Sequence, residues 1–169
     1  MPYKRVFFVR HAKSSWDQPG LSDLERPLNT RGLTAAPAMA QWISGQYPSR
    51  DPVLISSPAK RAVQTASYFA QAYQIDPMQI KISDELYFQG SDAYLETTGQ
   101  LEEHTNDVFI FGHNPSIEYL VGQLVHAYNG PVPTCSIFQC KRLAASWKNL
   151  SYADLEIENH YFPKMVLGI

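Results

Sequence analysis

Short apolar runs that stop abruptly at polar turns recur along this 169-residue chain, and most are followed by apolar residues at helical spacing. Residues 107–112 (DVFIFG) give the clearest run, and it leads straight into His113, Asn114 and Pro115. β-Branched and aromatic residues at 4–9 (KRVFFV) and 52–56 (PVLIS) have the composition of buried strands. Further strands are expected at 81–83, at 135–140 and, in the tail, around 152–157. Leu33, Ala36, Met39, Ala40 and Ile43 space out one helix, with Pro37 marking a shift of its first turn. Ser57 is expected to cap a second helix, with Pro58 at the first position and Ala62, Ala66, Phe69, Ala70 and Tyr73 as its buried stripe. Residues 91–104 read as a third helix. Ser116 reads as the cap of a fourth, whose apolar face is Ile117, Leu120, Val121, Leu124 and Val125. Residues 14–30 are polar and read as a surface loop. Strands alternating with helices predict an α/β sandwich around a largely parallel sheet.

Composition narrows the function. Hydrophobic residues make up 44% and charged residues 18% of the chain, enough for a packed core. A net charge of −2 excludes a protein that binds nucleic acid or an acidic membrane by bulk charge, so any anion affinity must be local. Cys135 and Cys140 fit no zinc or redox spacing and should lie on opposite strand faces as free thiols, which suits a reducing compartment. The apolar run near the N-terminus is too short for a signal peptide or a membrane span, so the cytoplasm is the expected location. No repeat or linker divides the chain, and residues 1–169 are expected to form one domain.

Ligands of open α/β sheets collect outside the carboxyl ends of the strands. Here those ends carry Arg10-His11, then Ser56-Ser57-Pro58 with Arg61 following, then Gly112-His113. Two histidines and two arginines thus leave separate strands on one edge. A phosphoryl group carries nearly two negative charges, and guanidinium groups bind its oxygens with a fixed fork of donors. Neutral imidazole, with a pKa near about 6.5, offers a lone pair at neutral pH. Its other ring nitrogen must be held by an acceptor for the attacking nitrogen to stay bare.

The string VRHAKSSW at these positions resembles the Arg-His-Gly signature of the histidine phosphatase superfamily, the phosphoglycerate mutase-like fold. Ala12 stands where glycine is usual, as in the branch similar to SixA-type phosphohistidine phosphatases. RPLNTRG at 26–32, SSPAKRAVQTA at 56–66 and FGHNPSIEYLV at 111–121 match in order. The resemblance implies a three-layer α/β/α sandwich with a six-stranded, mostly parallel mixed sheet and no large cap insertion. It implies that the first strand lies beside the strand carrying His113. It also implies that His11 becomes phosphorylated while Arg10, Arg61 and His113 hold the phosphoryl oxygens, with no metal and no cofactor.

Glu85, in SDELYFQGSD, resembles the carboxylic acid that protonates the leaving group in related phosphomonoesterases. An ester needs such an acid, worth roughly 10²–10⁴ in rate, whereas phosphohistidine loses an imidazole and needs it less. Lys13 and Ser14 are expected to line the pocket and Arg26 to guard its entrance. The implied substrate is phosphohistidine on a protein such as a phosphotransfer domain. A small phosphate ester such as a sugar phosphate is the alternative, and a non-catalytic phosphate-binding module of the same fold is the second. His104, His126 and His160 have no motif around them and read as surface or packing residues.

Overall fold

The computed structural model describes residues 3–169. Strand β1 (Arg5–Arg10) is followed by helix α1 (Thr30–Gln46), β2 (Val53–Ser56), α2 (Lys60–Ala72), β3 (Lys81–Ile82) and α3 (Asp92–Gly99). Then come β4 (Asp107–Gly112), α4 (Ser116–Val121), β5 (Ile137–Arg142), β6 (Leu155–Tyr161) and α5 (Pro163–Leu167). The six strands form one sheet in the order β3-β2-β4-β1-β5-β6. The pairs among β3, β2, β4 and β1 are parallel, and β5 and β6 add antiparallel neighbours at the other edge. The expected mixed sheet is present.

Alternation along the strands divides the core into two layers. Val6, Phe8, Val108 and Ile110 face one side, where Tyr94 and Leu95 of α3 and Ile117, Leu120 and Val121 of α4 cover them. Phe7, Val9, Phe109 and Phe111 face the other, against Met39, Ala40 and Ile43 of α1 and Phe69 and Ala70 of α2. Phe7 and Phe109 stack across the β1–β4 pair with ring centroids 4.2 Å apart. Each such fully buried side chain contributes roughly 1.5–3 kcal/mol. Cys135 belongs to one layer and Cys140 to the other, both as free thiols.

The β1–β4 register puts the chemistry in place. Arg5 pairs with Asp107 at one end and Arg10 with Gly112 at the other, so His11 and His113 leave the sheet side by side. A bidentate ion pair from Arg5 Nε and Nη2 to Asp107, at 2.6 and 3.0 Å, secures the starting end.

Several local expectations change. Helix α1 runs through Pro37 instead of shifting there, and Asn29 caps it by accepting from the Gly32 amide at 2.9 Å. Helix α2 begins at Lys60 with Ala59 at the cap position, and the Ser57 hydroxyl accepts from the Ala59 amide at 3.3 Å while also contacting His113. Helix α3 stops at Gly99, a weak helix former, well short of His104. Helix α4 starts at Ser116 itself and ends at Val121, leaving Leu124 and Val125 outside it. The tail strand begins at Leu155, later than expected. Among the described residues no helix is long and apolar enough to cross a membrane.

Gly112 has no room for a side chain. A Cβ there would lie 1.9 Å from the Tyr94 hydroxyl, which accepts a hydrogen bond from the His113 amide at 3.0 Å. Gly112→Ala is therefore expected to lower stability by about 1–3 kcal/mol, the usual cost of overpacking. Urea denaturation of the variant beside the parent measures this.

Candidate active site

The His11 ring is 8% exposed at the carboxyl end of β1. Its Nδ1 lies 2.7 Å from the Ala12 carbonyl oxygen. A carbonyl can only accept, so Nδ1 carries the proton and Nε2 keeps its lone pair. The Ala12 amide in turn donates to Thr65 Oγ1 of α2 at 3.0 Å, which pins the turn that aims the ring. The bare Nε2 faces Arg61, whose Nε lies 3.4 Å away.

Arg61 is 1% exposed in the first turn of α2, and it links both histidines. Its Nη2 lies 3.4 Å from His113 Nδ1. Guanidinium only donates, so His113 Nδ1 is the acceptor and Nε2–H donates to Ser57 Oγ at 2.8 Å. The two imidazole centroids are 5.2 Å apart. Arg10 Nη1 donates to the Val132 carbonyl at 2.8 Å, and its buried Nε has no partner among the described residues. Of the four expected side chains, Arg61 bridges His11 and His113, and Arg10 adjoins His11 in sequence with its guanidinium held by Val132.

A residue the sequence reading passed over completes the cluster. Asp23 lies on a 3₁₀ turn (Asp23–Glu25) inside the 14–30 loop. Its carbonyl accepts from Arg61 Nη1 at 2.7 Å and its Oδ2 from Arg61 Nη2 at 3.0 Å. Tyr87 donates to the same Oδ2 at 2.5 Å, and Arg26 Nε donates to Oδ1 at 3.1 Å. Partial burial pushes this carboxyl up, but the hydrogen bonds from Tyr87, Arg61 and Arg26 outweigh it and hold the pKa at about 2. Asp23 is thus an ionised clamp. Only its position three residues before Arg26, as a turn pair, hinted at it.

The other expected residues divide. Arg26 is buried, donates to Ser14 Oγ at 2.8 Å, and lies 3.6 Å over the exposed Trp16 ring, so both Arg26 and Ser14 brace the Asp23 loop. Lys13 is exposed; its carbonyl accepts from Asn29 at the start of α1, and its side chain makes no hydrogen bond to the cluster. Glu85 does not join the cluster. It is exposed on a 3₁₀ turn (Asp84–Leu86), and its carboxylate takes its hydrogen bond from Ser83 at 3.1 Å. The same segment instead delivers Tyr87 to Asp23 and stacks Phe88 on His113 at 4.8 Å. His104 and His126 are exposed. His160 stacks on Phe138 at 4.0 Å.

Paired imidazoles beside guanidinium groups, at the carboxyl edge of a mixed sheet, form an arrangement suited to a phosphoryl group. Comparison with known proteins agrees. Residues 6–88 match the family model "Histidine phosphatase superfamily (branch 1)". "Phosphohistidine phosphatase SixA" from Escherichia coli (strain K12) is 32% identical over 136 residues, covering 78% of this chain and 81% of that protein. A chain assigned as the phosphohistidine phosphatase SixA from Agrobacterium tumefaciens superposes with a TM-score of 0.77 at 26% identity, covering 96% and 99% of the two chains. The protein histidine phosphatase SixA complexed with tungstate gives 0.73 at 25% identity, covering 94% and 97%. The chain belongs to the histidine phosphatase superfamily, and its enzyme class is that of a phosphatase.

Burial, with smaller contributions from neighbouring cationic groups, lowers the pKa of His11 and of His113 to about 3. Burial lowers His160 to about 4. All three stay neutral in the fold while the unfolded chain protonates near 6.5. Stability is therefore expected to be full above pH 7 and to fall as pH drops from about 6.5 toward 4. The slope approaches about 1.4 kcal/mol per pH unit for each histidine involved. Urea midpoints at pH 7, 6 and 5 check this, and His160→Phe should flatten the dependence by about a third.

Proposed function

We propose that this chain is a metal-independent, cytoplasmic phosphatase that removes the phosphoryl group from histidine on a protein through a phosphohistidine intermediate on His11. One observation carries the substrate reading. The carboxylate tied into the cluster, Asp23, is held ionised by three donors and is a poor source of a proton at neutral pH. Glu85 makes no hydrogen bond to the cluster. A site built this way favours a leaving group that needs no acid from the enzyme. Phosphohistidine meets that need, because its imidazole can leave with a proton already on its other nitrogen. The name of the Escherichia coli relative points the same way.

The mechanism follows from the bond directions. His11 Nε2 attacks phosphorus in line, the bond to the substrate nitrogen breaks, and the phosphoryl group passes to His11. The positive charge that develops on the His11 ring is stabilised through Nδ1–H on the Ala12 carbonyl. Arg10 and Arg61 supply fixed positive charge for the equatorial oxygens, with the donors already in place before reaction. His113 Nδ1 can donate to an oxygen only after taking up a proton. A dianion beside it makes that uptake favourable. Water then attacks the phosphorus on His11 and releases phosphate. The charge a metal would bring is supplied by the two guanidinium groups, so activity should persist in EDTA. Two buried free thiols suit a reducing compartment.

Incubation with a labelled phosphohistidine donor is expected to leave acid-labile, base-stable label on the parent and none on His11→Ala. Parent protein that stays unlabelled with every donor yet binds phosphate tightly would instead mark a non-catalytic module. Glu85→Gln is expected to leave turnover of phosphohistidine and of aryl phosphate unchanged. Asp23→Asn should lower both by a similar factor, about tenfold or more, since it loosens Arg61. A loss in Asp23→Asn or Glu85→Gln confined to poor leaving groups would identify that carboxyl as an acid and shift the substrate to a phosphate ester.

A further inference from the structure

A second concavity lies on the same sheet edge, on the flank away from β4. It is a groove of about 570 Å³ whose walls include Lys13, Arg31, Lys164, Ala35, Pro133 and Phe162. Two links tie it to the active site. Lys13 follows His11 by two residues. Pro133 follows Val132, whose carbonyl holds Arg10. The groove and the nucleophile thus share the same short backbone segments. Phe162 comes after β6, whose Tyr161 pairs through Ile137 with Val9 of β1, so it too stands at the carboxyl edge of β1.

The chemistry of the groove is one-sided. It carries three cations and no Asp or Glu side chain, in a chain whose net charge is −2. Among the described residues Lys13, Arg31 and Lys164 make no ion pair. Arg31 sits in the first turn of α1, which has no acidic residue, so the helix dipole opposes it. Between the cations the lining is mostly apolar, from Ala35, Pro133, Phe162, Pro163 and Ile169, with the hydroxyls of Thr30, Thr34 and Thr134 among them. Unpaired positive charge around an apolar floor complements an apolar side chain flanked by carboxylates.

We propose that this groove docks an acidic, apolar segment of the phosphorylated protein while His11 engages the phosphohistidine. The inference rests on the protein-substrate reading above and names where the substrate's second contact falls. Docking away from the chemistry raises the effective concentration of the reacting group without a new catalytic contact.

The test uses two phosphohistidine peptides that are identical around the phosphohistidine and differ in a distal tail of Glu and Leu or of Lys and Leu. The parent should prefer the acidic tail in kcat/KM by about tenfold, the scale of two exposed ion pairs, since the Leu contacts are common to both tails. Arg31→Glu/Lys164→Glu should erase or invert that preference while leaving turnover of free phosphohistidine and the melting temperature unchanged. Equal rates for the two tails, or a preference that survives the double variant, would overturn the docking groove. Concentration-dependent dimers that the double variant abolishes, with no tail preference, would overturn it in favour of self-association. If neither phosphohistidine peptide is turned over but an aryl phosphate is, the substrate reading fails. The same tails on phosphotyrosine peptides then decide the groove by the same two criteria.

Discussion

Parallel pairing of β1 with β4, with Arg10 opposite Gly112, is the constraint on which the site depends. It brings together two imidazoles about a hundred residues apart in sequence and sets their ring centroids at 5.2 Å. A slip of one residue would turn every side chain of β1 to the opposite face. Phe7 and Val9 would then leave the layer that packs on α1 and α2. The core therefore enforces the register that the chemistry needs. The Arg5–Asp107 ion pair marks the same register at the far end.

Placing guanidinium groups beside two imidazoles at one buried edge creates an excess of positive charge on the arginines, and the fold balances Arg61 with Asp23. That carboxylate and its own backbone carbonyl occupy both terminal nitrogens of Arg61. The same bonds that steady Arg61 keep Asp23 ionised. A single arrangement thus fixes the Arg61 side chain and makes the nearby carboxyl a poor proton donor. Burial keeps both histidines neutral, so the unprotonated nitrogen of each ring keeps its lone pair.

Much of this was legible in the residues. Buried strands announce themselves as apolar runs, and the rule that ligands gather at strand carboxyl ends singled out Arg10, His11, Arg61 and His113 before any coordinates. The resemblance to histidine phosphatases added the strand pairing. Side-chain partners were not legible. Ser57 has the form of a helix cap, and its hydroxyl does accept from the Ala59 amide, yet it also accepts from His113 and α2 begins later. Glu85 resembles a general acid in the sequence, whereas in the structure its turn carries Tyr87 and Phe88 to the cluster while Glu85 is exposed and bonded to Ser83. Asp23 was lost in a polar loop because nothing periodic marks a loop residue that folds back over a helix terminus.

The sequence by itself determined the layered α/β architecture and pointed to Arg10, His11, Arg61 and His113 at the strand ends, because strand periodicity and strand-end motifs are local properties of the chain. Tertiary structure alone decided which carboxylate meets Arg61, which nitrogen of each imidazole is bare, and where a cationic groove opens beside the nucleophile. Those features depend on contacts between segments that only the packed sheet and its covering helices bring within hydrogen-bonding distance.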